Sequence, residues 1–336
     1  MASQDSDGIT LSVIIKTLNE GANIARTIST VRTAAAAHRY EVIVADSLSD
    51  DDTVAKALAA GARTIQLTDS AHRSCGVGAQ LGFQIARGRF IYLLDGDMEC
   101  VPGFIDAALD YLHAHPRVAG VAGDMAELSE GSYEFEVRKK QFEQLALGGW
   151  HGECPCLDGG GIFRRDALDQ VGFVTDRNLH AYEEKELGFR LTAAGWTMVR
   201  IPIAAVRHKG HAEKTWPLLK KRWRTKYVNG GGDLLRACLG KPHFWRAALV
   251  LKQYVVLMVL MALSMVALLM APWTLLPVGA VTAAWAVLWG VMAIRKRGML
   301  SGLLSLAYLT FWAAGMLRGL MTRRVDPTAT IPCRVQ

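Results

Sequence analysis

Four short runs of apolar, β-branched residues, each followed by a polar tip and a helix-compatible stretch, constrain the N-terminal part of the chain more than any other feature. Leu11 to Ile15, Val42 to Ala45, Thr64 to Leu67 and Phe90 to Leu94 read as strands. Gly21 to Ala37, Asp52 to Ala60 and Gly78 to Ala86 read as the helices between them. The first carries apolar residues at Ile24, Ile28 and Val31, and Gly61 closes the second. Alternation of this kind predicts an α/β doubly wound unit with a parallel sheet. Such sheets bind ligands beyond the carboxyl ends of their strands. Those ends hold Asn19 and Glu20, then Asp46, then Asp95 and Asp97. Polar groups are thus gathered on one edge, which predicts a nucleotide-type site there.

The last of these tips is Asp95-Gly96-Asp97, at the end of Phe90-Ile91-Tyr92-Leu93-Leu94. Two hard oxygen ligands one glycine apart suit a divalent metal, and a metal there can hold a diphosphate. An Asp-Gly turn is the plainer alternative.

Further on, Val118 to Ala122 reads as another strand, followed by Gly123-Asp124, and Tyr133 to Leu147 as a charged amphipathic helix. Asp158-Gly159-Gly160-Gly161 is either a loop whose backbone approaches a ligand closely or an ordinary connection. In Tyr182-Glu183-Glu184-Lys185-Glu186-Leu187-Gly188-Phe189-Arg190 the helical spacing of Glu183, Leu187 and Arg190 puts Glu183 and Glu184 at a helix start. Taken alone, carboxylates there are dipole partners. The six cysteines, Cys75, Cys100, Cys154, Cys156, Cys238 and Cys333, lack paired CxxC motifs and read as free thiols of a reducing compartment.

Hydrophobic residues make up 51% of the chain, too many for an ordinary soluble enzyme, and the excess is C-terminal. Tyr254 to Met270 contains no charged residue and, with Ala247 to Leu251, is long enough to span a bilayer. Trp273 to Ile294 is a second span and Met299 to Leu317 a third candidate. Met1 to Gly8 is polar and acidic, with no signal peptide in view, so the N-terminal domain is expected to stay cytoplasmic on a multi-pass anchor in the inner or plasma membrane. The positive-inside rule then places the uncharged Ala271 to Thr274 connection outside and Arg295-Lys296-Arg297 inside. A third span would put Arg323 and Arg324 outside, against that rule. The expectation is therefore two to three spans, with a re-entrant or interfacial helix as the alternative for the last.

Between the two parts, Trp216, Leu219, Trp223 and Tyr227 form one aromatic and apolar stripe at helical spacing. Lys220, Lys221, Arg222, Arg224 and Lys226 surround it. This predicts an interfacial helix on anionic lipid, ended by Asn229 and Gly230 to Gly232, with Phe244 and Trp245 at headgroup level. Packing on the protein core with a solvated basic face is the alternative. Lipid contact and membrane orientation account for the net charge of +7, so no nucleic-acid partner is expected. The expected organisation is a catalytic domain over 1–212, a basic amphipathic segment over 213–245, membrane helices over 246–322 and a tail over 323–336.

The order and spacing of these motifs resemble family 2 glycosyltransferases of the GT-A (Rossmann-like) fold over residues 11 to 210. Ser12-Val13-Ile14-Ile15-Lys16-Thr17-Leu18-Asn19-Glu20 is similar to that family's first strand and Asn-Glu loop, with Lys16 in place of the usual proline. Val44-Ala45-Asp46-Ser47-Leu48-Ser49-Asp50-Asp51-Asp52-Thr53 resembles its nucleotide-contacting segment, and Asp95-Gly96-Asp97 its DxD motif. Glu183-Glu184-Lys185-Glu186-Leu187-Gly188-Phe189-Arg190 resembles its Glu-Asp-x-Asp-Leu-x-x-Arg segment, with glutamates for both aspartates. Arg222-Trp223 matches part of a motif of membrane-bound members, although Leu219 stands where Gln or Arg is usual.

The resemblance implies an inverting, metal-dependent hexosyl transfer. Thr17, Asn19, Glu20, Asp46, Arg73 and Asp95 would bind the nucleotide. Asp97, Asp95 and His208 would hold Mg²⁺ or Mn²⁺. Glu184, with Glu183 as rival, would be the general base. Asp158 and Gly159 to Gly161 would face the acceptor and donor sugar, and Arg222 and Trp223 the diphosphate on the membrane side. The expected partners are a nucleotide-sugar donor, a lipid-linked acceptor and membrane lipids. The acceptor expected first is a hydroxyl of a polyprenyl-diphosphate-linked saccharide. A polyprenyl-phosphate sugar synthase and an inactive membrane scaffold are the alternatives.

Overall fold

The computed structural model describes residues 8–128, 151–209 and 214–336. The helix expected over Tyr133 to Leu147 lies outside the described residues. The chain divides into two compact units, one of residues 1–222 with 324–336, the other of residues 223–323.

The first unit is built on a ten-stranded sheet. Strands β1 (Leu11–Thr17), β2 (Tyr40–Asp46), β3 (Arg63–Leu67) and β4 (Phe90–Asp95) are parallel, in the order β3-β2-β1-β4. Helices α1 (Ile24–Ala34), α2 (Thr53–Ala59) and α3 (Cys75–Phe83) connect them. The expected parallel α/β unit is therefore present. Helices α1 and α2 are shorter than the sequence pattern suggests, and α3 starts and ends earlier, where Ser74 caps it by accepting from the Val77 N–H at 3.1 Å.

Beyond β4 the sheet becomes mixed. β5 (Met98–Cys100), helix α4 (Phe104–Ala114), β6 (Val118–Glu127), β7 (Gly152–Glu153), β8 (Gly161–Arg164), helices α5 (Arg165–Gln170) and α6 (Glu183–Ala193), and β9 (Thr197–His208) follow in the chain. β8 lies antiparallel between β4 and β6, and β9 runs parallel to β6. Period-two alternation divides the core between the faces of the sheet. Leu11, Val13 and Ile15 of β1 pack into one cluster with α1 and α4 residues, while Ile14 packs into the other with α3, α5 and α6 residues. A parallel strand buried on both faces needs this near-continuous apolar run. Lys16, two residues after Ile14, emerges on the α3 side.

The tail returns to this unit. Strand β10 (Cys333–Val335) pairs antiparallel with the edge strand β3, in the register Arg334↔Gln66. Ile331 is fully buried, and its N–H donates to Gln84 Oε1 at 2.6 Å. Arg177 Nη1 donates to Ala329 O at 3.0 Å, and Arg324 pairs with the buried Asp176.

Helix α7 (Thr215–Arg224) buries Leu218 and Arg222 and leaves Trp216 exposed. In the second unit, α8 (Gly230–Cys238), α9 (Phe244–Val250), α10 (Lys252–Met270), α11 (Leu276–Arg295) and α12 (Met299–Leu320) follow. Gly230 to Gly232 were expected to end a helix, but they open α8. The physical reason is close packing, because a Cβ on Gly232 would stand 2.1 Å from Met316 O of α12. Helices α10, α11 and α12 are each long and apolar enough to cross a membrane, and α11 buries no residue at all.

Candidate active site

The tips of β1 and β2 are stitched together by side chains. The Asn19 N–H donates to Ser49 Oγ at 2.8 Å, and Asn19 Oδ1 accepts from the Asp50 N–H at 3.0 Å. The Glu20 N–H donates to Thr53 Oγ1 at 2.8 Å, and the Gly21 N–H to Asp51 Oδ2 at 2.9 Å. Asn19 takes a left-handed backbone, with φ 61°. The Asn-Glu turn and the acidic loop after β2 thus form one rim.

Asp46 lies beneath that rim and is fully buried. Its carboxylate accepts from Thr17 Oγ1 at 3.1 Å, Ser49 N–H at 2.9 Å, Gln66 Nε2 at 2.9 Å and Ser49 Oγ. Those four bonds fill its acceptor sites, so in this conformation Asp46 organises the loop from below rather than presenting a free oxygen. Arg73 likewise faces the loop, with Nε donating to Ser47 O at 2.8 Å and Nη2 to Leu48 O.

The centre of the site is electrostatic. Register pairs Lys16 of β1 with Asp95 of β4, and Lys16 Nζ stands 2.9 Å from Asp95 Oδ1 and 4.0 Å from Glu184 Oε1. Glu184 lies in the first turn of α6, where its other oxygen accepts from the Gly159 N–H at 3.3 Å. Gly159 and Gly160 have φ of 85° and 93°, a left-handed run that glycine accepts and from which the Gly159 N–H reaches Glu184. Burial pushes the Glu184 carboxyl up to about 8; Lys16 opposes the rise, and Asp158, Glu183 and Asp95 add to it. Glu183 is raised too, again first by burial. Burial works to lower Lys16, but Asp95, Glu184 and Glu183 together hold it above the ordinary lysine range.

The rest of the α6 motif is structural. Glu186 is fully buried and pairs with Arg190 at 2.9 Å. Arg190 also donates to Phe173 O at 2.6 Å and Val174 O at 2.8 Å, fixing the loop that leads into α6. Asp158 pairs with Lys185 at 3.1 Å on the far side of Glu184. Burial raises the Cys75 thiol well above its usual value; Glu183 adds to this, and Lys16 and the buried Arg222 counter it, which places Arg222 in the same electrostatic neighbourhood. Trp223 belongs to the second unit, where its ring packs 5.4 Å from Phe311.

His208, near the end of β9, stands against the second carboxylate of the DxD pair. Its Nε2 is 3.3 Å from Asp97 Oδ2, and both side chains are 10% exposed. The β5–β9 register, Met98↔His208, sets this contact. A nearly buried carboxylate beside an imidazole nitrogen fits a divalent ion. Among the described residues no cluster of three or more His, Cys, Asp and Glu side chains converges, and Asp95 pairs with Lys16.

The turn after β1 lies against the tip of β4, since a Cβ added to Gly96 would stand 2.7 Å from Glu20 Cγ, and Lys16 links Asp95 of that tip to Glu184 at the start of α6. Residues 12–172 match Glycosyl transferase family 2. This stretch is a family 2 glycosyl transferase domain. The chain is 28% identical over 244 residues to an N-acetylglucosaminyl-diphospho-decaprenol L-rhamnosyltransferase of Mycobacterium tuberculosis, covering 60% of this chain and 77% of that protein. Two solved structures share its fold. The mannosyltransferase PcManGT of Pyrobaculum calidifontis, in complex with GDP-Man and Mn²⁺, matches with a TM-score of 0.52 at 18% identity, over 94% of this chain and 89% of that one. A mycobacterial protein matches with a TM-score of 0.51 at 21% identity, over 71% and 77% of the two chains. The chain thus joins a glycosyl transferase family 2 domain with a GT-A-like sheet to helices of membrane-spanning length.

Sequence patterns alone leave two features of the site undetected. One is the role of Lys16, whose signal is a lysine inside an otherwise apolar strand. The other is the tail strand, whose only signal is the short Ile331-Pro332-Cys333-Arg334-Val335 stretch.

Proposed function

We propose that this glycosyltransferase is inverting. It would move a sugar from a nucleotide-diphosphate sugar to a hydroxyl of a polyprenyl-diphosphate-linked saccharide, at the cytoplasmic face of the membrane. The observation that carries the reading is the Glu184 carboxylate, held between the Gly159 N–H and Lys16 in the same pocket as Asp95. A carboxylate with a raised pKa beside a donor site is suited to take the proton of an attacking hydroxyl. A phosphate acceptor is already anionic and needs no such group, which favours the hydroxyl. The M. tuberculosis relative, whose name gives a decaprenyl-diphosphate-linked GlcNAc as acceptor, supports the same class.

In this reading Glu184 accepts the proton as the acceptor oxygen attacks the anomeric carbon from the face opposite the departing diphosphate. The rim formed by Asn19, Glu20 and the Asp46–Thr53 loop holds the nucleotide. Asp97 and His208 would hold Mg²⁺ or Mn²⁺, which when bound neutralises charge on the diphosphate. The glycine loop and Asp158 border the sugar, and Arg222 supplies positive charge near the pocket. The basic face of α7 rests on anionic headgroups, close to where a lipid-borne acceptor is delivered. The catalytic domain corresponds to residues 1–212 and the membrane helices lie within 246–322.

The test is transfer by the purified full chain in lipid-containing micelles. It uses a panel of nucleotide sugars, beginning with activated L-rhamnose, and two acceptors, polyprenyl-diphosphate-GlcNAc and polyprenyl phosphate. Turnover on the former, with inversion at the anomeric carbon, is expected. Turnover on polyprenyl phosphate alone would overturn the acceptor assignment, and no turnover of any donor would favour a scaffold.

A further inference from the structure

We infer that Lys16 is a resident cation of the active site, committing Asp95 to the protein and leaving a divalent ion to Asp97 and His208. The inference rests on the reading of this site as a metal-assisted transfer site and goes beyond it, because it makes Lys16 the group that keeps Asp95 from the ion.

The geometry has three parts. Lys16 lies on the helix side of a central strand whose neighbouring apolar residues are buried, and its ammonium is directed at carboxylates, 2.9 Å from Asp95 and 4.0 Å from Glu184. Its stem has a prepared channel, since a Cβ added to Gly78 of α3 would lie 3.1 Å from both Lys16 Cβ and Cγ. The lysine side chain is only 14% exposed. A cation this far from water requires nearby anions, and Asp95 is the closest. An ammonium and a dication compete for the same oxygen and repel one another at such range. Asp97 pairs instead with His208, at 3.3 Å, and both side chains are 10% exposed. Lys16 is covalently fixed, so its charge stays in the pocket through every nucleotide exchange. It also gives Glu184 a partner on the side opposite the Gly159 N–H, making Lys16 a positioning residue for the proposed base.

The experiment is direct titration of Mn²⁺ alone, read by electron paramagnetic resonance of the free ion. It uses the full chain in detergent as wild type, Asp95→Asn, Asp97→Asn, Lys16→Met and Lys16→Arg. Asp97→Asn should weaken Mn²⁺ binding by about tenfold or more, and Asp95→Asn by less than about threefold. Lys16→Met should tighten it by about tenfold, because Asp95 becomes available, while Lys16→Arg should behave like the wild type. Equal losses in Asp95→Asn and Asp97→Asn would overturn the inference. So would Lys16→Met, folded by its thermal melt, binding Mn²⁺ no more tightly than wild type. Should Lys16→Met not fold, the asymmetry of the two aspartate variants decides. Should wild type bind no Mn²⁺, a gain of binding in Lys16→Met supports the inference and its absence overturns it. Glycosyl transfer by the wild type is measured separately, so a chain with the Mn²⁺ asymmetry but no transfer counts against the proposed function alone.

Discussion

Replacing Glu184 by glutamine removes the proposed proton acceptor while keeping the shape of its side chain and the bond from the Gly159 N–H. The native carboxyl is raised to about 8 by burial, so at pH 7 only about one molecule in ten carries it ionised. The sign follows directly. A group raised in the folded enzyme holds its proton at lower pH, and a base needs that proton gone. Wild-type kcat/KM should therefore rise about tenfold per pH unit up to about 8 and then level. Glu184→Gln should lower single-turnover transfer by about 10²- to 10⁴-fold, or about 3–5 kcal/mol of barrier, and flatten the pH profile. Nucleotide affinity should hold within a few fold, since the nucleotide rim lies on other strands. Glu183→Gln, run beside it, should leave the pH dependence in place. Transfer by Glu184→Gln within a few fold of wild type, at unchanged donor affinity, would refute the base assignment and move the phosphate-acceptor enzyme ahead.

Three further outcomes are expected. Truncation after Arg323 removes β10, the buried Ile331 and the Arg324–Asp176 pair, and burial of Ile331 alone is worth about 1.5–3 kcal/mol. Thermal melting should drop by several degrees and the exposed β3 edge should promote aggregation; an unchanged melt would contradict the packing. Glu186→Ala strands Arg190 in a site where the pair is 0% and 8% exposed, at a cost of about 3–5 kcal/mol, so denaturant unfolding that shifts by less than about 1 kcal/mol would count against a structural ion pair. Exchanging Lys220, Lys221 and Arg224 together for glutamine should weaken vesicle association by about 1 kcal/mol per residue on anionic lipid and leave neutral vesicles unaffected, as a flotation assay would show.

The first four strands were legible because each is an apolar run with one possible role, and parallel alternation follows from the helices between them. The second half was less so. β8 enters the sheet antiparallel beside β4, some seventy residues away in sequence, and nothing local in Gly161 to Arg164 announces that partner. Glycine at 230 to 232 reads as a stop when propensity alone is considered, and close packing against α12 overrides it. In helix α7 the buried residues are Leu218 and Arg222, while Trp216 and Trp223 of the aromatic stripe are exposed, and periodicity alone does not tell that Arg222 of the basic set is buried. In the site, residue types were legible and distances were not. The approach of Lys16 to Asp95 is a fact of strand register, and that of Asp97 to His208 joins positions far apart in sequence. Spacing also could not separate Glu184, which faces the pocket, from Glu186, which closes an internal ion pair two residues later.

The pairing of β10 with β3 also fixes a parity. Residues 1–222 and 324–336 form one unit, with β10 paired into its sheet, so both stretches must lie on the same side of any membrane. A strand cannot hydrogen-bond across a bilayer, and only an even number of crossings is compatible with the ladder. Should the three helices of spanning length meet a bilayer, the ladder is compatible with two simple crossings and not with three. The charges choose among them. The uncharged turn after α10 would suit the far side, and Arg295, Lys296 and Arg297 would hold the end of α11 on the near side. In that arrangement α12, the most buried of the three, would be the one that does not traverse, with Gly319 close against Asp233 N of α8. Cysteines placed at Thr274, Arg297 and Arg334 and labelled from one side should report the last two together and the first apart.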